Sequence, residues 1–227
     1  MEIGGFRLRA ACGILGPFAF TGAWVAGSLR QAGHSMAEVQ LSGLAAPDAR
    51  DPGIMIAGFV VLGGSAIAFG SALDEGLGGR ARAGLAPLVI RASGVAMIAA
   101  GLLRRDRMLL DPPGLVVAEA SWHNQLHDLA SLVGYGASVA GPLLLARRFG
   151  GDADWAALRG PLLASALATG AAMALFVSPA FAPWAGIVQR AMVTIPLASL
   201  LAVACRLLAL GAGADGQSGR TRLGAMR

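Results

Sequence analysis

The stretch IMIAGFVVLGGSAIAFGSAL, residues 54–73, contains twenty residues and no charged side chain. An α-helix rises about 1.5 Å per residue, so a run of this length spans the roughly 30 Å hydrocarbon core of a bilayer. Two other uncharged runs, residues 10–29 and 161–181, have a similar length. No run alternates with the two-residue period of a barrel strand, so all three predict membrane-spanning helices.

Three further apolar runs are interrupted by polar residues. Residues 84–103 include Arg91, residues 122–146 begin with a histidine-containing stretch, and residues 184–208 include Gln189 and Arg190. The short gaps predict one domain over residues 1–210: an all-α, polytopic membrane bundle of six transmembrane helices. Residues 211–227 are small and polar and predict a disordered cytoplasmic tail. The predicted spans are about 10–29, 54–73, 84–103, 122–146, 161–181 and 184–208.

The composition supports a membrane location. Hydrophobic residues make up 56% of the chain and charged residues 14%, whereas soluble domains carry about 25% charged residues. All 18 basic residues are arginines, and the formal net charge is +5. The arginines lie mostly in the gaps between apolar runs, which is typical of topology determinants and disfavours nucleic-acid binding.

The distribution of arginines also predicts the orientation of the bundle. The side that carries both termini has more arginines, and acidic residues dilute those on the opposite side. Because positively charged loops stay in the cytoplasm, both termini are predicted to be cytoplasmic in a multi-pass protein of the inner (plasma) membrane. The lipid bilayer is therefore a predicted partner, whereas the sequence does not indicate an oligomeric state.

Polar residues from four segments are predicted to meet on the outer side of the bundle. With six antiparallel helices, the two longer gaps, residues 30–53 and 104–121, lie at the same end as the start of helices four and six. The candidate site residues at this end are His34, Glu38, Ser42, Asp111, His123, His127, Asp128, Gln189 and Arg190.

Two of these residues carry charges at a similar depth. Asp128 and Arg190 are predicted to lie roughly 8–10 Å inside their helix starts. An unpaired charge there costs several kcal/mol, so we expect an ion pair between them or one shared hydrogen-bonded network. The alternative is that Arg190 extends to lipid headgroups. Arg91 has a predicted structural role, either extending to the inner interface or pairing with Asp74 or Glu75.

His123 and His127 are four residues apart and therefore share one face of helix four. With a third ligand from His34, Asp111 or Glu38, they would form a zinc site with an open position that activates water. The alternative is that they cap the helix start, contact headgroups, handle protons or bind substrate. Because this spacing alone is a weak signal, we favour no metal and no other cofactor.

Four segments combine into a family pattern: CGILGPFAFTGAWVAGSL (residues 12–29), AEVQLSGLAAPDARDPGIMIAGFVVLGG (37–64), DPPG (111–114) with HNQLHDLAS (123–131), and GIVQRAMV (186–193). Together they resemble the prokaryotic six-helix membrane family known as domain of unknown function 998, over roughly residues 9–210. The resemblance implies the six-helix fold. It implies no reaction, because the family has no settled activity.

Individual family positions have counterparts in this chain. Ser42 and Leu44 match the family's Ser-x-Leu element before helix two. Asp111 and Pro112 match its acidic residue with proline after helix three, and Gln189 and Arg190 match its Gln-Arg pair in helix six. In the family's Gly-x-x-His element, which opens helix four, Asn124 replaces the glycine. Where the family often has tyrosine in the first outer loop, this chain has His34. Only His127 falls on the family histidine, which favours a site built on His127 rather than on the histidine pair.

The sequence therefore favours an integral membrane protein with an outward-facing intramembrane polar pocket that binds or acts on a lipid or small amphiphile. His127 would be the general acid or base, oriented by Asp111 or Asp128, and Arg190 would bind an anionic headgroup. Further binding residues would be Gln189, His34, Glu38 and Ser42. The alternatives are a non-enzymatic transporter or structural subunit of a membrane complex, and a zinc-dependent membrane hydrolase. The sequence does not decide whether the protein is an enzyme.

Overall fold

The computed structural model describes residues 3–79, 84–108 and 120–224, with side chains described over residues 4–79, 84–108 and 120–211. The described residues form six α-helices and three short 3-10 helices. The α-helices are α1 (Ile3–Arg30), α2 (Pro52–Gly76), α3 (Ala86–Leu102), α4 (Trp122–Phe149), α5 (Arg159–Phe176) and α6 (Ala185–Gly224). The 3-10 helices are Leu41–Ala45, Ala156–Leu158 and Pro179–Trp184.

The predicted all-α bundle is confirmed in these residues. Five of the helices are long and apolar enough to cross a bilayer, whereas α3 is shorter, with 17 residues. The chain is therefore a multi-pass membrane protein. Helix α6 continues to Gly224, so the backbone is helical over most of the segment for which the composition predicts a disordered tail.

Helices that follow one another in the chain pack side by side, and α6 returns to pack against α1. Helices α2 and α3 approach each other closely at two glycines. A Cβ atom added at Gly94 would lie 2.5 Å from the carbonyl oxygen of Gly63. Glycine at both positions therefore lets the two backbones touch, as small residues do between helices in lipid.

The end of the bundle that holds the start of α1 and the end of α4 has an apolar core. Phe149 stacks on Trp155 with ring centroids 4.5 Å apart. Near them, Arg9 pairs with Glu75 at 2.6 Å. Glu75 is therefore not the partner of Arg91, which forms no ion pair within residues 3–79, 84–108 and 120–224. Extension of the Arg91 side chain towards the interface is the remaining predicted role.

The opposite end of the bundle carries the polar segments. The 3-10 helix Leu41–Ala45 is entirely buried there. Its Leu41 donates to Gln189 near the start of α6. Its Ser42 accepts from Arg105, in the segment after α3, and Arg105 also donates to Asn124 in the first turn of α4. We call this end the polar end of the bundle.

Candidate functional site

A cavity of about 210 Å³ lies at the polar end, among α4, α5 and α6. Its lining combines polar side chains with apolar ones. The polar residues are Gln40, Ser42, Arg105, His127, Asp128, Ser131, Tyr135 and Gln189. The apolar residues are Leu132, Met173, Phe176, Val177 and Met192. We call this space the His127 cavity.

His127 is buried in this cavity and anchored by the backbone. It is 2% exposed, and its Nδ1 donates to the carbonyl oxygens of Ala100, at 2.8 Å, and Leu103, at 2.9 Å. The last carbonyls of a helix lack partners within the helix, so the C-terminal end of α3 offers these acceptors. Carbonyl oxygens only accept, so Nδ1 carries the proton and Nε2 of the neutral ring is an acceptor. The backbone thus orients His127, a role that the sequence assigned to Asp111 or Asp128.

Asp128 pairs with Arg105 rather than with Arg190. Its Oδ1 lies 3.4 Å from Nη2 of Arg105, and its Oδ2 accepts a hydrogen bond from Asn124 Nδ2 at 2.9 Å. The carboxylate is half exposed, whereas Arg105 is largely buried. The expected direct ion pair with Arg190 is therefore wrong.

Arg105 is the cation of the site, and it is not among the site residues predicted from the sequence. The guanidinium donates to Gln40 Oε1, to Ser42 Oγ at 3.5 Å and to Asn124 Oδ1 at 3.4 Å. It lies in the run RRDR just after α3, where arginines are typical of topology determinants. The signal that distinguishes it is the buried carboxamide Asn124 and the carboxylate Asp128, one turn apart on the helix that follows.

Arg190 does not line the His127 cavity. It is 7% exposed, and its Nη1 donates to the carbonyl oxygens of Met36, Val39 and Gly186 at 2.7, 2.9 and 3.0 Å. Its guanidinium also lies 5.3 Å from the centroid of the Trp24 ring. These contacts fix the first loop to α6. The buried guanidinium does not reach the surface of the bundle, as it would in the alternative that Arg190 extends to headgroups, and its assigned role as binder of an anionic headgroup does not fit this position.

Gln189 joins the loop to the cavity. Its Oε1 accepts from the backbone N–H of Leu41, and its Nε2 donates to Tyr135 Oη at 2.8 Å. Since Tyr135 accepts this hydrogen bond, its own hydroxyl proton remains available to a ligand. Gln189 therefore shapes the cavity wall and orients Tyr135.

His34 and Glu38, both expected to bind substrate, lie outside the His127 cavity. His34 Nε2 is 3.2 Å from Arg190 Nη2, and since arginine only donates, that nitrogen accepts. Burial, and then the positive charge of Arg190, hold the pKa of His34 below its ordinary value. Glu38 is exposed and lines a neighbouring cavity of about 400 Å³, which shares Gln40, Phe176 and Val177 with the His127 cavity.

His123 belongs to a different cluster from His127. Its Nδ1 is 2.7 Å from Ser121 Oγ, and its ring lies 4.6 Å from that of Trp122. Ser121, the N-cap of α4, donates through both its backbone N–H and its hydroxyl to Asp106. These two hydrogen bonds keep the pKa of Asp106 below its ordinary value. His123 lines a separate cavity of about 240 Å³.

The histidine pair therefore does not build a two-histidine site in this structure. Among the described residues, no group of three or more His, Cys, Asp or Glu side chains is placed to hold a metal ion. Asp111, which was expected to act as a catalytic or ligand residue, lies outside the described residues. Of the expected site residues, Ser42, His127, Asp128 and Gln189 meet in one cavity.

A comparison with known protein families gives a match over most of the chain. The family described as protein of unknown function (DUF998) matches residues 14–206 of the chain. No curated protein and no solved structure matches the chain.

Proposed function

The chain belongs to the family of protein of unknown function DUF998, and from that premise we propose that this multi-pass membrane protein binds a lipid or small amphiphile in the His127 cavity. The observation that carries the proposal is the distribution of polarity in the cavity. Polar groups cluster around His127, while the other walls are apolar. An amphiphile has this same division between its head and its chain.

The mouth of the cavity supports a membrane ligand rather than a soluble one. Leu132 of α4 and Val177, just after α5, line the cavity and are 61% and 78% exposed. In a membrane protein, exposed apolar side chains on the outside of the bundle face lipid. A ligand that enters from the bilayer therefore places its chain between α4 and α5 and its head next to His127.

His127 is the residue that we propose to contact the ligand's head. Its Nδ1 proton is fixed by the carbonyl oxygens of Ala100 and Leu103, so Nε2 is the atom free to accept a proton or a hydrogen bond. If the protein acts chemically on its ligand, this nitrogen is the general base. Arg105 and Asp128 form the ion pair beside it.

The amount of co-purified lipid in mouth variants tests the proposal. We expect Leu132→Trp to fill the mouth and to remove most of the bound lipid that native mass spectrometry detects in the wild-type protein. Leu129→Trp is the matched control, because Leu129 is an exposed leucine on the same helix that does not line the cavity. Equal lipid occupancy in the wild type and both variants, or loss in both, would contradict the proposal.

We also propose that the polar end faces outward from the inner (plasma) membrane, with both termini in the cytoplasm. The arginine bias of the sequence supports this orientation. In a variant that carries Cys12→Ala and Cys205→Ala, we expect Glu38→Cys to react with a membrane-impermeant maleimide on intact cells. Gly151→Cys, at the other end of the bundle, is expected to react only after permeabilisation. The reverse pattern would overturn the orientation.

A further inference from the structure

We infer that the ligand of the His127 cavity has an uncharged, hydroxyl-bearing head. This inference rests on the proposed function and narrows the class of amphiphile. It comes from the charges that the cavity already contains and from the hydrogen-bonding groups that remain unused in it.

The charges that line the cavity are balanced. The lining contains one cation, Arg105, and one anion, Asp128, and the two lie 3.4 Å apart. A neutral His127 adds no charge. The neutral ring with its proton on Nδ1 is compatible with the hydrogen bonds from Nδ1 to two carbonyl oxygens. A charged head would leave one unit of charge uncompensated in a partly buried site, which is unfavourable.

Arg105 has its hydrogen-bonding capacity directed into the protein. Nε donates to Asn124, Nη1 to Gln40 and Ser42, and Nη2 faces Asp128. An anionic head, such as a carboxylate or a phosphate, would have to displace these partners. It would also approach the carboxylate of Asp128. The arginine therefore serves as an internal counterion rather than as a receptor for an anion.

A cationic head is also disfavoured, because the carboxylate that would bind it is already occupied. The carboxylate of Asp128 already accepts from Asn124 and faces Arg105. An ammonium group would have to share that carboxylate with a guanidinium a few ångströms away. Like charges at that separation repel each other strongly where water is partly excluded.

The groups that remain unused suit a hydroxyl. His127 Nε2 is an acceptor that makes no hydrogen bond to any described residue. Tyr135 has a hydroxyl proton to donate, because it accepts from Gln189. The Ser131 hydroxyl also lines the cavity. One hydroxyl group both donates and accepts, so it satisfies His127 and Tyr135 or Ser131 without breaking the Arg105–Asp128 pair.

Three ligands with the same eighteen-carbon chain test this inference: monoolein, whose head carries two hydroxyls, the anion oleate and the cation oleylamine. We expect the purified protein in nanodiscs to bind monoolein at least about tenfold more tightly than either charged ligand. A difference of one to two hydrogen bonds corresponds to a factor of this size. Tighter binding of oleate or oleylamine would overturn the inference.

A variant identifies the atom responsible. His127→Asn keeps a side-chain N–H near the position of Nδ1, for the carbonyl oxygens of Ala100 and Leu103, and removes the acceptor at Nε2. We expect it to weaken monoolein binding about tenfold and so to reduce the preference for monoolein over oleate. Asp128 is half exposed, and the substitution Asp128→Asn leaves the Nε2 acceptor of His127 in place. This substitution gives the cavity a net positive charge, so we expect the variant to bind oleate more tightly than the wild type does. If neither His127→Asn nor Asp128→Asn changed the preference for monoolein over the charged ligands, the inference would be contradicted.

Different outcomes of these experiments would contradict lipid binding in the cavity and the hydroxyl-bearing head. If none of the three ligands binds, or if Leu132→Trp does not reduce binding of any of them, the proposed function fails. If a charged ligand binds best and Leu132→Trp abolishes that binding, the proposed function stands and the hydroxyl-bearing head is wrong.

Discussion

His34 and Arg190 form a contact at the polar end that depends on the protonation state of the histidine. Nη2 of Arg190 donates to Nε2 of His34, which is possible only while that nitrogen is unprotonated. Nδ1 of His34 is buried without a partner among the described residues. Protonation of His34 therefore removes a hydrogen bond and places two cations next to each other.

The pKa of His34 is lowered from its ordinary value of 6.5 by burial and by Arg190, which fixes the sign of the effect. Between the lowered pKa and 6.5, the unfolded chain binds a proton that the folded protein does not. The free energy of unfolding is thus expected to be constant above this window and to fall as the pH decreases through it. Thermal unfolding followed between pH 7.5 and 5 measures the effect.

His34→Gln is the matched variant for this pH dependence. Its side-chain oxygen still accepts from Arg190 but does not titrate in this range. We expect its melting temperature to change less with pH than that of the wild type. An identical acid-induced fall in both proteins would show that another group is responsible.

At the level of single residues, the sequence identified candidate groups better than it identified their partners. His127, Asp128, Ser42 and Gln189 were expected at the site and line the cavity. Arg105 was not expected at the site, because α3 ends before this residue. In addition, helix depth alone suggested a different partner for Asp128. The chain doubles back after α3, and only the folded structure shows which side chains this reversal brings together.

At the scale of elements, the attachment of the first loop to α6 organises the polar end. Arg190 donates to carbonyl oxygens of residues 36 and 39, and the backbone N–H of Ile187 donates to the carbonyl oxygen of Ala37 at 3.0 Å. The loop continues into the buried 3-10 helix Leu41–Ala45, which carries Ser42 into the cavity. The start of α6 therefore positions a wall of the site.

This attachment requires a glycine in the first turn of α6. A Cβ atom at Gly186 would lie 2.5, 2.6 and 2.9 Å from the carbonyl oxygens of Val39, Met36 and Ala37. We expect Gly186→Ala to push the loop away and to destabilise the protein by about 1–3 kcal/mol, as overpacking of a close contact does. The unfolding temperature in detergent and the occupancy of bound lipid should both decrease.

Gly170→Ala in α5 is the control for this change. A Cβ atom added there meets nothing within 4 Å, so the substitution should be neutral or slightly stabilising, since alanine favours the helix. If Gly186→Ala behaved like Gly170→Ala in both measurements, the close contact between the loop and α6 would not determine the cavity.

The six helices could be predicted because run length and charge are local properties of the sequence. The uncharged runs at residues 10–29 and 54–73 lie within α1 and α2. The 3-10 helices were not predicted, because their short turns leave no periodic pattern. The helical backbone of residues 211–224 was not predicted either, since small and polar residues carry no apolar stripe.

On the scale of the whole molecule, the bundle separates two kinds of interior. One end is filled with apolar side chains, such as Phe149 and Trp155. The other end contains buried polar residues, among them Asn124, His127, Gln189 and Arg190. Burying polar groups in a membrane protein is costly unless they are hydrogen-bonded, and these residues make hydrogen bonds that offset this cost.

In the proposed function, the exposed side of the His127 cavity is where a lipid would enter from the bilayer. Polar groups lie on the inside of the cavity, and Leu132 and Val177 lie at its exposed mouth. Helix parity alone could predict that polar segments share one end. It could not predict an opening between α4 and α5, which depends on how the side chains of three helices pack.

A structure determined in nanodiscs that contain monoolein would show whether a lipid occupies the His127 cavity. We expect density for the head within hydrogen-bonding distance of His127 Nε2, with the acyl chain leaving the cavity between Leu132 and Val177 and the Arg105–Asp128 pair intact. A cavity filled only by water or by rearranged side chains, with lipid confined to the outer surface of the bundle, would contradict it.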